Sequence, residues 1–384
     1  MNLQRTAAVA WKETREILRD RLLLAMAFVV PTLILVVLGY GLSFDVENIP
    51  FATVDYDRSA LSREYLHRFI DSRYFDYQGE ARDTRELDRL LAESSIRFAI
   101  VIPPDFQNRL LAGRSVAVQS LVDGVFPYRA QVSKGYVAAI NSDFSADLLR
   151  RHLSRKMGLT SEQAGAAVQP VRLTTRYLYN QAIRSGWSLA SGLIMLVLMV
   201  APPFLTALGI VRERENGSIY NIYASTVTRG EFLLGKLLPY VAISAINIVL
   251  VWCLAVFLFG APFKGGVVFF FVASLVYVIC TTGVGLLVSL MVRTQAAAAL
   301  LTMVITFIPA MLYSGLLVPI ESMGVETQFE AQLFPAMYYL RIVWGSFLKG
   351  LGWTVLWCDV LALALYAIVL WTIGYFSFHK RPRQ

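Results

Sequence analysis

Six long stretches without a charged residue constrain the fold of this chain more strongly than any other feature. A helix needs about 20 apolar residues to cross the roughly 30 Å hydrocarbon core of a bilayer. Inside lipid the backbone must satisfy its own hydrogen bonds, so each stretch is predicted to be helical. The sequence therefore predicts a polytopic α-helical membrane protein with six transmembrane helices. The stretches are Leu22–Phe44, Ser185–Val211, Leu237–Phe263, Gly265–Val292, Thr294–Ile320 and Val360–Phe378.

The charged residues are concentrated in one segment between the first two stretches. Residues 45–184 hold 19 of the 35 Lys and Arg and 17 of the 27 Asp and Glu. Alternating strand-like and helical patterns in this segment predict an inserted α/β domain, and the segment is long enough for a core of its own. The predicted strands are 51–55, 98–102 and 116–122, and the predicted helices are 59–70, 83–92, 104–112 and 128–156.

Basic residues that flank the spans predict the orientation of the chain. Short cytoplasmic loops are enriched in Lys and Arg, whereas long loops cross the membrane regardless of their charge. The termini and the loops on their side hold 13 basic residues, and the opposite short loops hold only Lys264, Arg341 and Lys349. Both termini are therefore expected in the cytoplasm, and the 45–184 domain outside it. The basic excess lies beside apolar spans, so it indicates contact with membrane lipids rather than with nucleic acid.

These patterns divide the chain into seven segments. Residues 1–21 mix apolar and charged side chains, which predicts either an amphipathic elbow helix in the cytoplasmic interface or a plain basic flank. The elbow candidates are Trp11, Lys12, Glu13, Arg19 and Asp20. The other segments are span one at 22–44, the domain at 45–184, span two at 185–211, a cytoplasmic loop at 212–236, spans three to six at 237–378 and a cytoplasmic tail at 379–384.

The loop between spans two and three begins with a charged run, continues through a glycine and then shows an amphipathic turn. The apolar members of that turn are Ile219, Ile222 and Tyr223. A short helix with such a face could bind in a groove of a cytoplasmic partner, although an ordinary basic loop explains the pattern equally well.

The same loop contains a partial phosphate-binding motif. Gly230 to Lys236 fits G-x4-G-K, but Leu237 stands where the motif needs Ser or Thr to hold Mg²⁺. No nucleotide site, catalytic constellation or Cys/His metal spacing is therefore expected in this chain. We predict no catalytic residues, no metal site and no cofactor bound by the chain itself.

Prolines in spans two and five are candidates for a gate. Pro202 and Pro203 lie in span two, and Pro309 lies in span five. Because proline removes a helical hydrogen bond, each position predicts either a hinge of a gate or a static kink.

Four stretches resemble type-two ABC exporter permeases, the membrane subunits of ATP-driven exporters. The resemblance covers nearly the whole chain and fits best the multidrug-efflux subgroup, which carries a large domain between spans one and two. The departure is Trp344, where Arg or a small residue is expected. The matching stretches are Lys12 to Arg21, the R-E-R-E-x-G-S-I run from Arg212 with Arg229 to Tyr240, Tyr313 to Met323, and Phe334 to Arg341 with Phe347 to Gly350.

The resemblance implies a half-transporter in the bacterial inner membrane. Two permease chains, identical or paralogous, would pair, and each would dock a separate ABC ATPase subunit that binds ATP and Mg²⁺. A periplasmic adaptor is a further candidate partner, and amphiphilic or drug-like compounds are the implied substrates. The coupling residues would be Arg212, Glu213, Arg214, Glu215, Asn216, Gly217, Ser218, Ile219 and Tyr220, with Glu213, Arg214 and Glu215 offering ionic contacts.

Two other classes of function were weighed against an exporter permease. A secondary transporter or channel predicts ionisable residues at the membrane midplane or inverted repeats, and the spans show neither. A membrane-anchored sensor would use the 45–184 domain, but it would not need six spans.

The charge distribution makes one direct prediction about topology. A reporter enzyme fused after Gln384 should be active only in the cytoplasm, because the basic flanks are retained there. Activity on the outer side would contradict the count of six spans.

Overall fold

The chain folds as two compact units. In this computed structural model residues 2–42, 45–168, 176, 178–181, 184–217 and 227–378 are described. The helical unit comprises Met1–Phe44 and Tyr177–Gln384, and the sheet unit comprises Asp45–Arg176.

Helices dominate the described residues. In chain order they are α1 (Leu3–Arg19), α2 (Arg21–Gly41), α3 (Ala60–Ile70), α4 (Thr84–Ala92), α5 (Phe106–Leu111), α6 (Pro127–Met157), α7 (Ser161–Val168), α8 (Ser185–Glu215), α9 (Arg229–Cys253), α10 (Val267–Met291), α11 (Gln295–Tyr313), α12 (Val325–Gln332), α13 (Pro335–Trp344) and α14 (Trp353–Ser377). The strands are β1 (Ile49–Asp55), β2 (Phe75–Glu80), β3 (Phe98–Ile102) and β4 (Gln119–Val122).

Six helices of the described part are long and apolar enough to cross a membrane, namely α2, α8, α9, α10, α11 and α14. The prediction of six apolar spans is confirmed. Their ends differ from the uncharged stretches where local chemistry continues or stops a helix. α9 starts at Arg229, eight residues before Leu237, because Thr228 and Glu231 form a reciprocal capping box. A π-helical turn, Leu254–Leu258, follows α9 directly.

Span α8 is the central helix of the helical unit. Its interior residues, such as Leu193, Val197 and Ala207, are completely buried. Helices α2, α9, α10, α11 and α13 all contact it. At Pro203 the backbone of α8 comes close to the backbone of α10. A Cβ on Gly285 of α10 would stand only 2.4 Å from the Pro203 carbonyl oxygen. The glycine therefore lets two backbones meet at the proline pair.

The prolines do not end their helices. α8 continues through Pro202 and Pro203, and the hydroxyl of Thr206 donates to the Pro202 carbonyl at 2.8 Å. α11 continues through Pro309. A gating role for these prolines stays a prediction.

The sheet unit is an α/β fold built on four strands in the order β2-β1-β3-β4. β1 pairs in parallel with β2 and β3, and β4 pairs antiparallel with β3. Alternate residues of β1 face opposite sides: Phe51 packs with α3, α5 and α6, whereas Val54 packs with Leu87 of α4. The pattern at 51–55 and 98–102 correctly predicted β1 and β3. β2 was missed because it is an edge strand whose side chains are mostly exposed.

The aromatic core beside Phe51 should dominate the stability of the sheet unit. Phe51 is fully buried and contacts the rings of Phe69, Phe75 and Phe98. Phe51→Ala should lower the free energy of unfolding of this unit by about 3–5 kcal/mol. Denaturant-dependent proteolysis of the full chain in membranes measures the change. The matched control Phe126→Ala removes a half-exposed ring and should change stability little.

A candidate functional site where α1, α8 and α9 meet

Four charged side chains meet where α1 packs against the end of α8 and the start of α9. Lys236 of α9 places its Nζ 2.9 Å from Glu13 Oε2 and 3.0 Å from Glu213 Oε2. Lys12 Nζ lies 2.8 Å from Glu213 Oε1. The hydroxyl of Tyr240 donates to Glu13 Oε1 at 2.5 Å. We call Lys12, Glu13, Glu213, Lys236 and Tyr240 the ion cluster.

Most of the ion cluster is buried, and its two lysines match its two glutamates in charge. The side chains of Lys236, Glu13 and Glu213 are 1%, 5% and 7% exposed. Lys236 pairs with both glutamates, and Lys12, whose side chain is 47% exposed, supplies the second positive charge from the side that faces water. Burial acts to lower the pKa of Lys12, but its hydrogen bond and charge attraction to Glu213 outweigh that effect and raise the pKa. Lys12 therefore stays charged at neutral pH.

Close backbone approaches let α1 and α8 reach α9. A Cβ on Gly209 of α8 would stand 1.7 Å from the Tyr240 hydroxyl oxygen, so only glycine leaves room for that ring. A Cβ on Gly235 would stand 2.8 Å from the carbonyl oxygen of Thr6 in α1. Glycine at these two positions is what brings Glu13 within bonding distance of α9.

A second ion pair joins α8 to the break between α1 and α2. Asp20 is the residue between those helices, and its Oδ1 accepts from the backbone of Leu22 and Leu23 at 3.0 and 3.1 Å. Its other oxygen pairs with Arg212. The Leu23 backbone bond, followed by Arg212, holds the pKa of Asp20 below its usual value. This carboxylate therefore stays ionised down to acidic pH.

Two further residues of α8, Arg214 and Glu215, reach α10 and α11. Arg214 donates to the carbonyl oxygens of Ser289 and Val292 at 3.0 and 3.1 Å, at the end of α10. Those carbonyls are among the groups that a helix end leaves without partners. Glu215 Oε2 accepts from the backbone and side-chain amides of Gln295 at 3.2 and 2.8 Å, at the start of α11.

The run Arg212–Glu215 therefore fastens five helices to the end of α8. Arg212 binds the start of α2, Glu213 binds α1 and α9, Arg214 binds α10, and Glu215 binds α11. A displacement of this end of α8 must be shared by those helices or must break a charged contact. The arrangement can transmit a movement, and nothing in it resembles a nucleophile or an acid–base pair poised for catalysis.

Three carboxylates of this region, on Glu13, Glu16 and Glu213, have oxygens within 4.8 Å of one another. Such a group can hold a cation in principle. Here each of the three carboxylates already pairs with a lysine, because Lys12 bonds Glu16 and Glu213, and Lys236 bonds Glu13 and Glu213. The geometry is that of an ion-pair cluster rather than of a metal site.

The elbow residues predicted from the sequence divide into two groups. Lys12, Glu13 and Asp20 lie inside the contacts just described, whereas Trp11 and Arg19 are exposed. The predicted contact with lipid at the cytoplasmic interface stays a prediction.

The predicted coupling residues also divide. Arg212 to Glu215 make the internal contacts above, and Asn216 and Gly217 follow directly as a turn in which Gly217 has a positive φ of 75°. Ser218, Ile219 and Tyr220 lie outside the described residues. Their role in coupling to an ATPase stays a prediction. An ionic contact from Glu213 to a second protein would require its two internal ion pairs to break.

Sequence reasoning missed Lys236, Tyr240 and Gln295 as members of this site. A lysine at the edge of an uncharged stretch was a usable signal, since a charge there needs a partner. The pairing itself joins positions more than 200 residues apart, and no local pattern reveals it.

Six apolar helices, of which one is buried by its neighbours and is fastened to them at one end by charged contacts, are typical of the membrane subunit of a transporter. The chain matches the ABC-2 family of transporter proteins over residues 21–376, and it belongs to that family. The family resemblance drawn from the motifs is thereby confirmed.

Curated relatives cover almost the full chain. The probable multidrug ABC transporter permease YbhS of Escherichia coli K12 is 29% identical over 99% of this chain and 98% of its own length. The probable multidrug ABC transporter permease YbhR from the same strain is 24% identical over 96% of this chain and 97% of its own length. The inner membrane transport permease YhhJ of that strain is 24% identical over 96% and 95% of the two chains. The present chain is thus the membrane subunit of an ABC transporter.

Removal of one cation tests the ion cluster. Lys236→Met removes the lysine that pairs with buried Glu13 and leaves Glu213 paired with Lys12, so it should lower the free energy of unfolding by about 3–5 kcal/mol. Thermal unfolding of the purified full chain measures the loss. The matched control Lys349→Met removes an exposed lysine of the same unit and should cost little. Equal stability of the two variants would contradict the assigned ion pairs.

Proposed function

We propose that this chain is the permease subunit of an ATP-driven exporter, and that a separate ATPase subunit powers it by docking on the loop that follows α8. The observation that carries the proposal is the run Arg212–Glu215, which joins five helices immediately before that loop. A push on the loop enters α8 at this run and reaches all five helices through charged contacts.

Helix geometry makes this end of α8 suitable for receiving force. α8 is a single helix of 31 residues and continues beyond its apolar part to Glu215. A helix of that length spans about 46 Å, more than the roughly 30 Å of a hydrocarbon core. Its charged end can therefore project to the membrane surface while its centre remains the most buried element of the helical unit.

Substrate and assembly belong to the same proposal. Two relatives are named as probable multidrug permeases, which supports an amphiphilic or drug-like substrate moved out of the cytoplasm or the inner leaflet. We propose that two permease chains pair in the bacterial inner membrane, with both termini in the cytoplasm and the sheet unit outside. A periplasmic adaptor would then meet the sheet unit.

Loop variants test the proposed docking. Ile219→Asp with Ile222→Asp should abolish co-purification of the ATPase subunit and its stimulation by the permease, because the change puts charge on the apolar face of the loop. Leu111→Asp, at an exposed apolar position of α5, is the matched control and should leave both unchanged. Full ATPase binding by the loop variant would contradict the docking site.

Charge reversal in the run Arg212–Glu215 separates two effects. Glu213→Lys would bring a third cation beside Lys12 and Lys236, so we expect loss of folded protein. Within the described part of the chain Glu215→Lys disturbs the contact with Gln295, and it should leave the chain folded while lowering export per ATP hydrolysed. Export assays in inverted vesicles, normalised to folded permease, measure both. Wild-type export by Glu215→Lys would remove this residue from the coupling path.

A further inference from the structure

The exposed side of α1 carries apolar side chains that nothing in the described chain covers. Leu3, Trp11 and Leu18 are 75%, 62% and 62% exposed. Their spacing places them on one side of the helix, because each residue turns the helix by about 100°. Leu22, in the first turn of α2, is 66% exposed and continues this apolar surface to the first span. The opposite side of α1, with Thr6, Glu13 and Ile17, is buried.

Three arginines border that apolar surface. Arg15, Arg19 and Arg21 are exposed, and in the described part of the chain no carboxylate lies within ion-pairing distance of them. The nearby acids are already paired, Glu16 with Lys12 and Asp20 with Arg212. The guanidinium of Arg15 lies 5.2 Å from the centre of the Trp11 ring. The unpaired charge of Arg15 therefore lies beside an indole, and Arg19 and Arg21 follow four and six residues further along the chain.

The contacts of α1 place it beside the first apolar residues of α9. Glu13 bonds Lys236 and Tyr240, which flank the start of the uncharged stretch at Leu237. Trp11 lies two residues before Glu13, and Leu22 lies in the first turn of span α2. The apolar side of α1 is thus level with the ends of two spans, where headgroups meet hydrocarbon and where tryptophan is enriched.

We propose that Arg15, which lies beside Trp11, together with Arg19 and Arg21 binds the phosphate of an anionic phospholipid headgroup. A guanidinium group can donate two parallel hydrogen bonds to the oxygens of one phosphate. The apolar row on the neighbouring side of α1 seats the same lipid's upper acyl chains. The inference goes beyond the proposed function, because it needs α2 to cross the membrane but needs no ATPase. Failure of either one leaves the other standing.

Lipid titration of the purified full chain in detergent tests the site. Native mass spectrometry should show phosphatidylglycerol retained at concentrations where phosphatidylcholine with the same acyl chains is lost. Each arginine near an anionic headgroup contributes about fivefold in binding. The triple variant R15Q/R19Q/R21Q should therefore bind phosphatidylglycerol about a hundredfold more weakly. The triple control R85Q/R114Q/R155Q removes three exposed arginines of the sheet unit and should bind like the wild type.

Further arms keep the test decisive. If the triple variant fails to insert, the single variant Arg15→Gln should still show about a fivefold loss. Unchanged phosphatidylglycerol binding by the folded triple variant, or an equal loss in the control, would overturn the proposal. Full competition by inorganic phosphate would instead indicate a site for soluble anions. Loss of ATPase binding with lipid binding unchanged would indicate a protein-docking surface.

Discussion

The contacts made by Arg212 to Glu215 at the end of α8 are the interactions on which the helical unit depends at this end. Four successive side chains of one helix turn reach α1, α2, α9, α10 and α11. Successive residues of a helix point about 100° apart, so a run of four charges can address neighbours all around a central helix. That geometry is available only because α8 is surrounded on every side. A charged run on a peripheral helix would face solvent or lipid over most of its circumference.

The same contacts explain why charges are kept in a place where burial disfavours them. A buried ion pair gains little stability over an apolar pair of the same shape, but it tolerates no loss of one partner. The ion cluster therefore fixes one relative arrangement of α1, α8 and α9, and Gly209 and Gly235 allow the approach that this arrangement needs. Through these contacts α1 is fastened to α8 and α9. Its outer side remains available to the membrane surface.

Hydropathy and charge spacing predicted the six apolar helices, and strand-like and helical patterns predicted β1, β3 and most helices of the sheet unit. Those features follow from local composition. The edge strand β2 could not be predicted, because its exposed polar side chains show no apolar alternation. The sequence shows the motif at Arg212, but it suggests that the charges of the motif face a partner protein. Their internal partners, such as Lys236, come from distant parts of the chain, and only packing reveals them. The start of α9 was also misplaced, since a capping box and not hydropathy sets it.

The central claim is that the ends of the helices fastened by Arg212–Glu215 move as one body when the ATPase acts. Spin labels at Ala8 of α1 and Arg293 between α10 and α11, both exposed, report the distance across this body in a chain freed of Cys253, Cys280 and Cys358. Pulsed electron resonance on the assembled transporter would compare that distance without nucleotide and with ATP trapped. The account predicts the same narrow distance distribution in both states. A shift of the Ala8–Arg293 distance on ATP binding would contradict it.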